Sequence, residues 1–228
     1  MPLAIDCVYD AAHFGLTRGK EGETNLLNTS TQRMQSKDVI VCYSKSMGKN
    51  SLNSPFILAI TGSAGSGKST VAARLASRIE HCVNIEVDHV KHFIVNGFIY
   101  NRTSPEGIKQ WELLGTNLGL LARSFTEADY NVVINGYLNQ QEFEKLQEYV
   151  AFTHRVLLAP EVTVTARRDS ARPEDKLLGF DAVKEHHNYF SDTRFYDDFT
   201  RIDSTSHSVE ETTAEVMKML GWSDREGS

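Results

Sequence analysis

Several things are scarce in this chain, and each scarcity removes a class of function. The longest apolar runs, Phe56–Ile60 among them, are far short of the roughly 20 residues that would span a bilayer. The three cysteines, Cys7, Cys42 and Cys82, stand far apart with no CxxC spacing, so neither a zinc site nor a disulfide framework is indicated, and a reducing, cytoplasmic setting is expected. Basic residues are outnumbered, with a formal net charge of −6, which argues against a surface devoted to gripping a phosphate backbone and so against nucleic acid as an obligatory partner. The first 19 residues lack a basic segment followed by an apolar one and carry Asp6 and Asp10, unlike a targeting sequence. There is no NKxD segment to read guanine, no LSGGQ, and no strand ending in Asp-Glu such as an ATP-hydrolysing machine uses to hold magnesium and orient water.

What is present is the composition of an ordinary globular protein, 228 residues with 40% apolar and 24% charged, enough for one well-packed domain with an appendage. Residues 1–53 are rich in turn formers (Gly19, Gly22, Asn25, Asn28, Ser30, Thr31) and are expected to be a poorly ordered extension, with DVIVCY at 38–43 either an edge strand or nothing regular. Met34 and Met47 leave open a later start. Residues 54–222 are expected to form the main domain and 223–228 a tail.

Across that domain strands and helices alternate, which predicts an α/β fold with a parallel sheet and helices on both faces. Strands are expected at 56–61, 83–87, 131–136, 154–158 and 199–202. Helices are expected at 68–79, where Val71, Leu75 and Ile79 share a face, at 104–124 behind the Ser104-Pro105 start, and at 139–149 behind an Asn139/Glu142 capping box. Further helices are expected over 161–176, 180–190 and 208–221, the last opened by Ser208 with Glu211.

Between the first strand and first helix stands GSAGSGKS, Gly62–Ser69, followed by Thr70. This matches G-x-x-x-x-G-K-[ST] in the strand-loop-helix setting that the motif requires. The stretch Gly62, Ser63, Ala64, Gly65, Ser66, Gly67, Lys68, Ser69, Thr70 is expected to cradle phosphates with its amide groups at the positive end of the helix. Lys68 would meet the β- and γ-phosphates, Ser69 would ligate magnesium and Thr70 would line the α-phosphate.

Asp88 follows the second strand at the carboxyl edge of the sheet, where it serves either as a general base for an attacking hydroxyl or as a helix N-cap. His89 and His92 lie one turn apart, a spacing that also suits a metal pair. Arg167, Arg168 and Arg172 lie in TARRDSARPEDK; Arg168 and Arg172 are four apart, so they either close over transferring phosphates or form a solvated face. Asp203–Ser206 contacts the nucleotide's adenine or ribose, or is simply a turn. His92, Phe93, Phe98, Tyr100, Arg102 and Trp111 either build an acceptor pocket or pack beneath a lid.

With GSAGSGKST, IEVDHVKHF, the arginine-bearing segment and RIDSTSHSVEE in that order, the chain resembles the small P-loop kinases of the adenylate-kinase-like branch, the group containing chloramphenicol phosphotransferase and zeta-toxin-like kinases. The resemblance covers about Pro55–Leu220. It implies a three-layer P-loop fold with a five-stranded parallel sheet, ATP with Mg2+ as donor, Asp88 as base and lid arginines from 167–172. Asn135 stands where many relatives carry an acidic residue on the third strand. The expected activity is phosphoryl transfer to a hydroxyl of a small molecule; nucleosides, sugars, sugar nucleotides, antibiotics and vitamin precursors are all compatible. Two rivals stand beside it, a nucleotide-binding regulatory or ATPase module and a polynucleotide end kinase.

Overall fold

The apolar run that opens the domain becomes the central strand. In the computed structural model, which describes residues 54–174 and 177–222, β1 (Ile57–Gly62) is buried along its whole length. The expected N-terminal extension, its 38–43 strand and the 223–228 tail lie outside the described residues. The other strands are β2 (Cys82–Glu86), β3 (Asn131–Asn135), β4 (His154–Leu158) and β5 (Thr200–Ile202). They form one five-stranded sheet in the order β2-β3-β1-β4-β5, and every ladder is parallel.

A strand covered on both faces must be apolar on both, and β1 shows how its side chains divide. Ile57 and Ala59 join Val132, Ile134 and Leu157 beneath Trp111, Leu114, Leu118, Phe143, Leu146 and Phe190. These come from α3 (Pro105–Glu127), α4 (Gln140–Gln147) and α6 (Phe180–Asp192). Leu58 and Ile60 face the other way, against Val133, Val156, Val71, Leu75, Val216 and Met217. The latter four come from α1 (Lys68–Ala76) and α7 (Val209–Met219). Two cores on opposite faces of one sheet make the three layers. Among the described residues no helix is long and apolar enough to cross a membrane.

Register brings the strand ends together. Ile60 and Glu86 both pair with Asn135, Gly62 pairs with Leu158, and Leu158 with Ile202, so the carboxyl ends of all five strands share one edge. The helix starts follow the expected caps: Ser104 accepts from the Gly107 amide, and Asn139/Glu142 and Ser208/Glu211 form reciprocal capping boxes.

Three boundaries differ from expectation in ways that matter for the site. Helix α1 stops at Ala76 rather than 79, closed by the Ser77 amide donating to Ala73, although Ile79 remains buried. Strand β2 ends at Glu86, where its ladder with β3 ends, and Val87 opens a short helix, α2 (Val87–Lys91); Asp88 therefore lies in a helical first turn and not on the strand. Helix α5 (Val162–Ser170) ends before Arg172 instead of running to 176. Pro173 explains this, because a proline disfavours helical geometry in the residue before it.

The α3–α4 contact is close enough to require glycine. A Cβ on Gly115 would lie 2.4 Å from the Glu142 carbonyl oxygen. Mid-helix glycine ordinarily costs about 1 kcal/mol relative to alanine. Here Gly115→Ala is nevertheless expected to destabilise the protein by about 1–3 kcal/mol, because the added methyl forces α4 outward. Equilibrium denaturation in urea would measure it, and a gain in stability would show that the two helices are not tightly apposed.

Candidate active site

The loop between β1 and α1 is a tight turn closed on itself at one point. The Ser66 amide donates to Ser63 O at 3.2 Å, and Val71 opens the helical ladder on Gly67 O at 2.9 Å. Gly67, the N-cap of α1, has φ 95°, and a Cβ placed there would meet nothing within 4 Å, so the space in front of the helix start is open. Gly65, at φ 77°, is closed in on its side: a Cβ would come 2.3 Å from the Thr165 carbonyl oxygen. The arginine-bearing helix α5 is therefore seated directly on the loop.

Lys68 Nζ donates to Ser63 O at 2.8 Å. Burial, reinforced by the positive charge of Arg172, lowers its pKa to about 8, while the negative charges of Asp88 and Glu86 act in the opposite sense. Three charged side chains thus act on the Lys68 ammonium. Ser69 Oγ donates to Glu86 Oε1 at 2.9 Å, and His89 Nε2 lies 3.5 Å from Glu86 Oε2. A hydroxyl and a carboxylate side by side are hard oxygen donors of the kind that suits magnesium. Among the described residues no group of three or more His, Cys, Asp or Glu side chains is arranged to hold a metal, so the His89/His92 spacing gathers no such cluster.

Asp88 Oδ1 accepts from Lys91 Nζ at 2.5 Å, and its side chain is 57% exposed. Desolvation pushes its carboxyl up, but the Lys91 hydrogen bond and the charges of Lys91, Lys68 and His92 outweigh it and hold the group below the usual carboxylate range. The N-cap of α2 is Glu86, with no side-chain capping bond, so capping is not what Asp88 does.

The two arginines that spacing placed on one face diverge. Arg168 Nη2 reaches the Ser204 carbonyl oxygen at 3.3 Å, on the loop after β5. Arg172, past the helix end, pairs with the buried Asp169 at 3.4 Å and is the charge felt by Lys68. Asp169 Oδ2 also accepts from the Leu178 and Gly179 amides, at 3.1 and 3.0 Å. In the 203–206 loop, Asp203 Oδ1 accepts from the Thr205 amide, and Thr205 Oγ1 accepts from the Glu161 amide at 2.8 Å. That loop is thereby tied to the start of α5.

Of the aromatic stretch, Phe93 and Tyr100 are exposed while Trp111 is buried. Arg102 makes a double hydrogen bond with the fully buried Glu142, at 2.6 and 3.1 Å, and its guanidinium lies 3.3 Å from the Trp111 ring centroid. Beside this pair stand Tyr137 and His186, whose rings are 4.6 Å apart.

Glu86, Glu142, Tyr137 and His186 were not singled out as site residues from the sequence. For Glu86 a signal existed, since it is the last residue of β2 before the helix. His186 carried none, because only the packing of α6 brings it to this edge. Asn135 is buried and donates to Asn84 Oδ1 at 2.7 Å, so it bridges strands β2 and β3.

A family profile described as an AAA domain (AAA_18) matches residues 58–212. No curated protein sequence matches the chain. Among solved structures it is similar to the tunicamycin resistance protein of Deinococcus radiodurans, with a TM-score of 0.56 and 18% identity over 75% of this chain and 97% of that one. A sugar kinase from a Janibacter species gives 0.55 and 16% identity over 73% and 95%. Thymidylate kinase from Candida albicans gives 0.54 and 14% over 74% and 92%. At these identities the likeness is one of fold.

An anion arriving at the loop favours the ammonium form of Lys68. With the free group near pH 8, nucleotide affinity is expected to be steady below about pH 7.5 and to fall as pH rises through 8 and beyond. Calorimetric titration with ATP across pH 6.5–9 would test this, and a flat profile would contradict the placement of Lys68 against the phosphates.

Proposed function

The chain belongs to the AAA domain family of P-loop proteins, and on that premise we propose that it is a kinase that transfers the γ-phosphoryl group of ATP to a hydroxyl group of a small molecule. The observation that carries this reading is the Gly62–Ser69 loop between β1 and α1, with the Lys68 ammonium on Ser63 O at 2.8 Å, the Ser69 hydroxyl on Glu86 at 2.9 Å and open space at Gly67 in front of the helix start. Asp88, Glu86 and Arg172 all bear electrostatically on that lysine. Two structural neighbours are by name kinases of small molecules, a sugar kinase and a thymidylate kinase.

In this reading the amides of residues 63–70 and the Lys68 ammonium hold the β- and γ-phosphates, with Thr70 along the α-phosphate. Ser69 Oγ and the Glu86 carboxylate would hold a magnesium ion, which when bound neutralises charge on the β- and γ-oxygens. Glu86 already orients the Ser69 hydroxyl by accepting its hydrogen bond.

Asp88 is ionised at neutral pH, and Lys91 occupies only Oδ1. Its other oxygen accepts the acceptor's hydroxyl proton. The hydroxyl oxygen attacks the γ-phosphorus, the bond from that phosphorus to the β,γ-bridging oxygen breaks, and ADP leaves with the electron pair; the proton passes from Asp88 to solvent. A carboxylate of lowered pKa is a weak base, adequate where the transition state is loose and the proton leaves late. Arg172 stabilises charge on the γ-phosphoryl, and Arg168, held at Ser204, closes the nucleotide end.

Lys68→Ala is expected to abolish productive nucleotide use. Asp88→Asn should bind ATP nearly as well as wild type while transferring about 10²–10⁴-fold more slowly. ADP release by both proteins against pooled nucleosides, sugars and other alcohols is the measurement. A pool that stimulates wild type but not Asp88→Asn supports the assignment. ATP turnover indifferent to every pool points instead to a regulatory or ATPase module.

A further inference from the structure

Past the end of β3, beside the start of the phosphate loop, stands a group of residues that the phosphate chemistry leaves unused. Residues 136–138 are clamped to the end of β1: the Gly136 amide donates to Ile60 O at 3.2 Å, Thr61 Oγ1 donates to Gly136 O at 3.1 Å, and the Leu138 amide donates to Thr61 Oγ1 at 3.2 Å. The buried Tyr196 hydroxyl donates to Leu138 O at 2.7 Å from the other side. Tyr137 is therefore fixed where the phosphate loop begins. Its ring meets His186 of α6 at 4.6 Å and Tyr189 at 5.9 Å.

Two properties of this group define what it can take. The first is charge. Arg102, its guanidinium, is already matched in a double hydrogen bond by a fully buried carboxylate and stacked on Trp111. From outside the pair His186 feels the positive charge of Lys68, which belongs to the phosphate loop, and then the negative charge of Glu185, which Tyr137 feels as well. A phosphate or carboxylate brought here would lose its hydration and find the arginine committed. The second is hydrogen bonding. His186 Nδ1 and Trp111 Nε1 are buried with no partner, and burial keeps the Tyr137 hydroxyl protonated and the His186 ring neutral. These are uncharged donors and acceptors beside flat aromatic faces.

The geometry points to Tyr137, His186 and the Arg102–Glu142 pair as the acceptor wall, and to an uncharged, polyhydroxylated ring compound of the sugar or nucleoside class as its occupant, rather than a phosphorylated or carboxylated one. This rests on the kinase reading above and narrows it. His186 hydrogen-bonds the bound compound, Tyr137 lies against it, and Glu142 keeps Arg102 from drawing an anion into the site.

The test uses wild-type full-length protein loaded with a non-hydrolysable ATP analogue and magnesium. Matched pairs are titrated by calorimetry: nucleosides against their 5′-monophosphates, and aldoses against the corresponding uronic acids. At least one uncharged member is expected to bind, and its charged counterpart about tenfold more weakly or worse. His186→Leu should then weaken that uncharged ligand about 3–10-fold, as for one lost hydrogen bond, with analogue affinity as the control for folding.

An anionic member binding as well as or better than its uncharged counterpart overturns the inference and leaves the kinase reading standing. Binding by no member of any pair overturns the placement of the acceptor here. An uncharged ligand that binds as expected but yields no ADP with ATP supports the wall and overturns the kinase reading instead.

Discussion

Everything at the site depends on β1 being hydrogen-bonded in parallel on both sides. Parallel neighbours need crossover helices, and those helices cover both faces, so β1 must be apolar on both. The same pairing aligns the carboxyl ends of all five strands. Gly62, Glu86, Asn135, Leu158 and Ile202 arrive at one edge, and the loops that follow them have nowhere else to project. A shift of register in the β2–β3 or β1–β3 ladder would separate Glu86 from Ser69, or Tyr137 from the phosphate loop.

On that edge the electrostatics form a closed set. The Lys68 ammonium feels one guanidinium and two carboxylates, and Asp88 is in turn held by Lys91. The loop, α2 and α5 each contribute charge, and the close seat of Gly65 against Thr165 ties α5 to the loop mechanically. Movement of α5 therefore carries Arg172 and the Asp169 hydrogen bonds to Leu178 and Gly179 together. Around Tyr137 a different rule holds, with the Arg102–Glu142 ion pair satisfied internally and the ring nitrogens His186 Nδ1 and Trp111 Nε1 buried without a partner.

Much of the architecture was legible along the chain because its signals are local. An apolar run ending in glycine reads as a buried strand entering a turn, GSAGSGKS as a phosphate loop, and Asn139/Glu142 and Ser208/Glu211 as helix starts, since each depends only on residues a few positions apart. The five strands fall where alternation placed them, within a residue or so at each end. Pro173 was equally local and spells out why Arg172 leaves the helix, a consequence of backbone sterics that spacing by four had obscured.

The sequence by itself determined the α/β alternation, the phosphate loop with Lys68 and Ser69, and the place of Asp88 just past the second strand. Backbone propensity and capping act within a few residues, so these needed no tertiary information. Only the tertiary structure decided that Glu86 meets Ser69, that Arg168 and Arg172 part company, and that Arg102 is neutralised by Glu142 forty residues away. It also brought His186 of α6 against Tyr137 after β3. Those contacts arise from sheet register and helix packing, which join residues far apart in the chain and leave no mark in the spacing of any one segment.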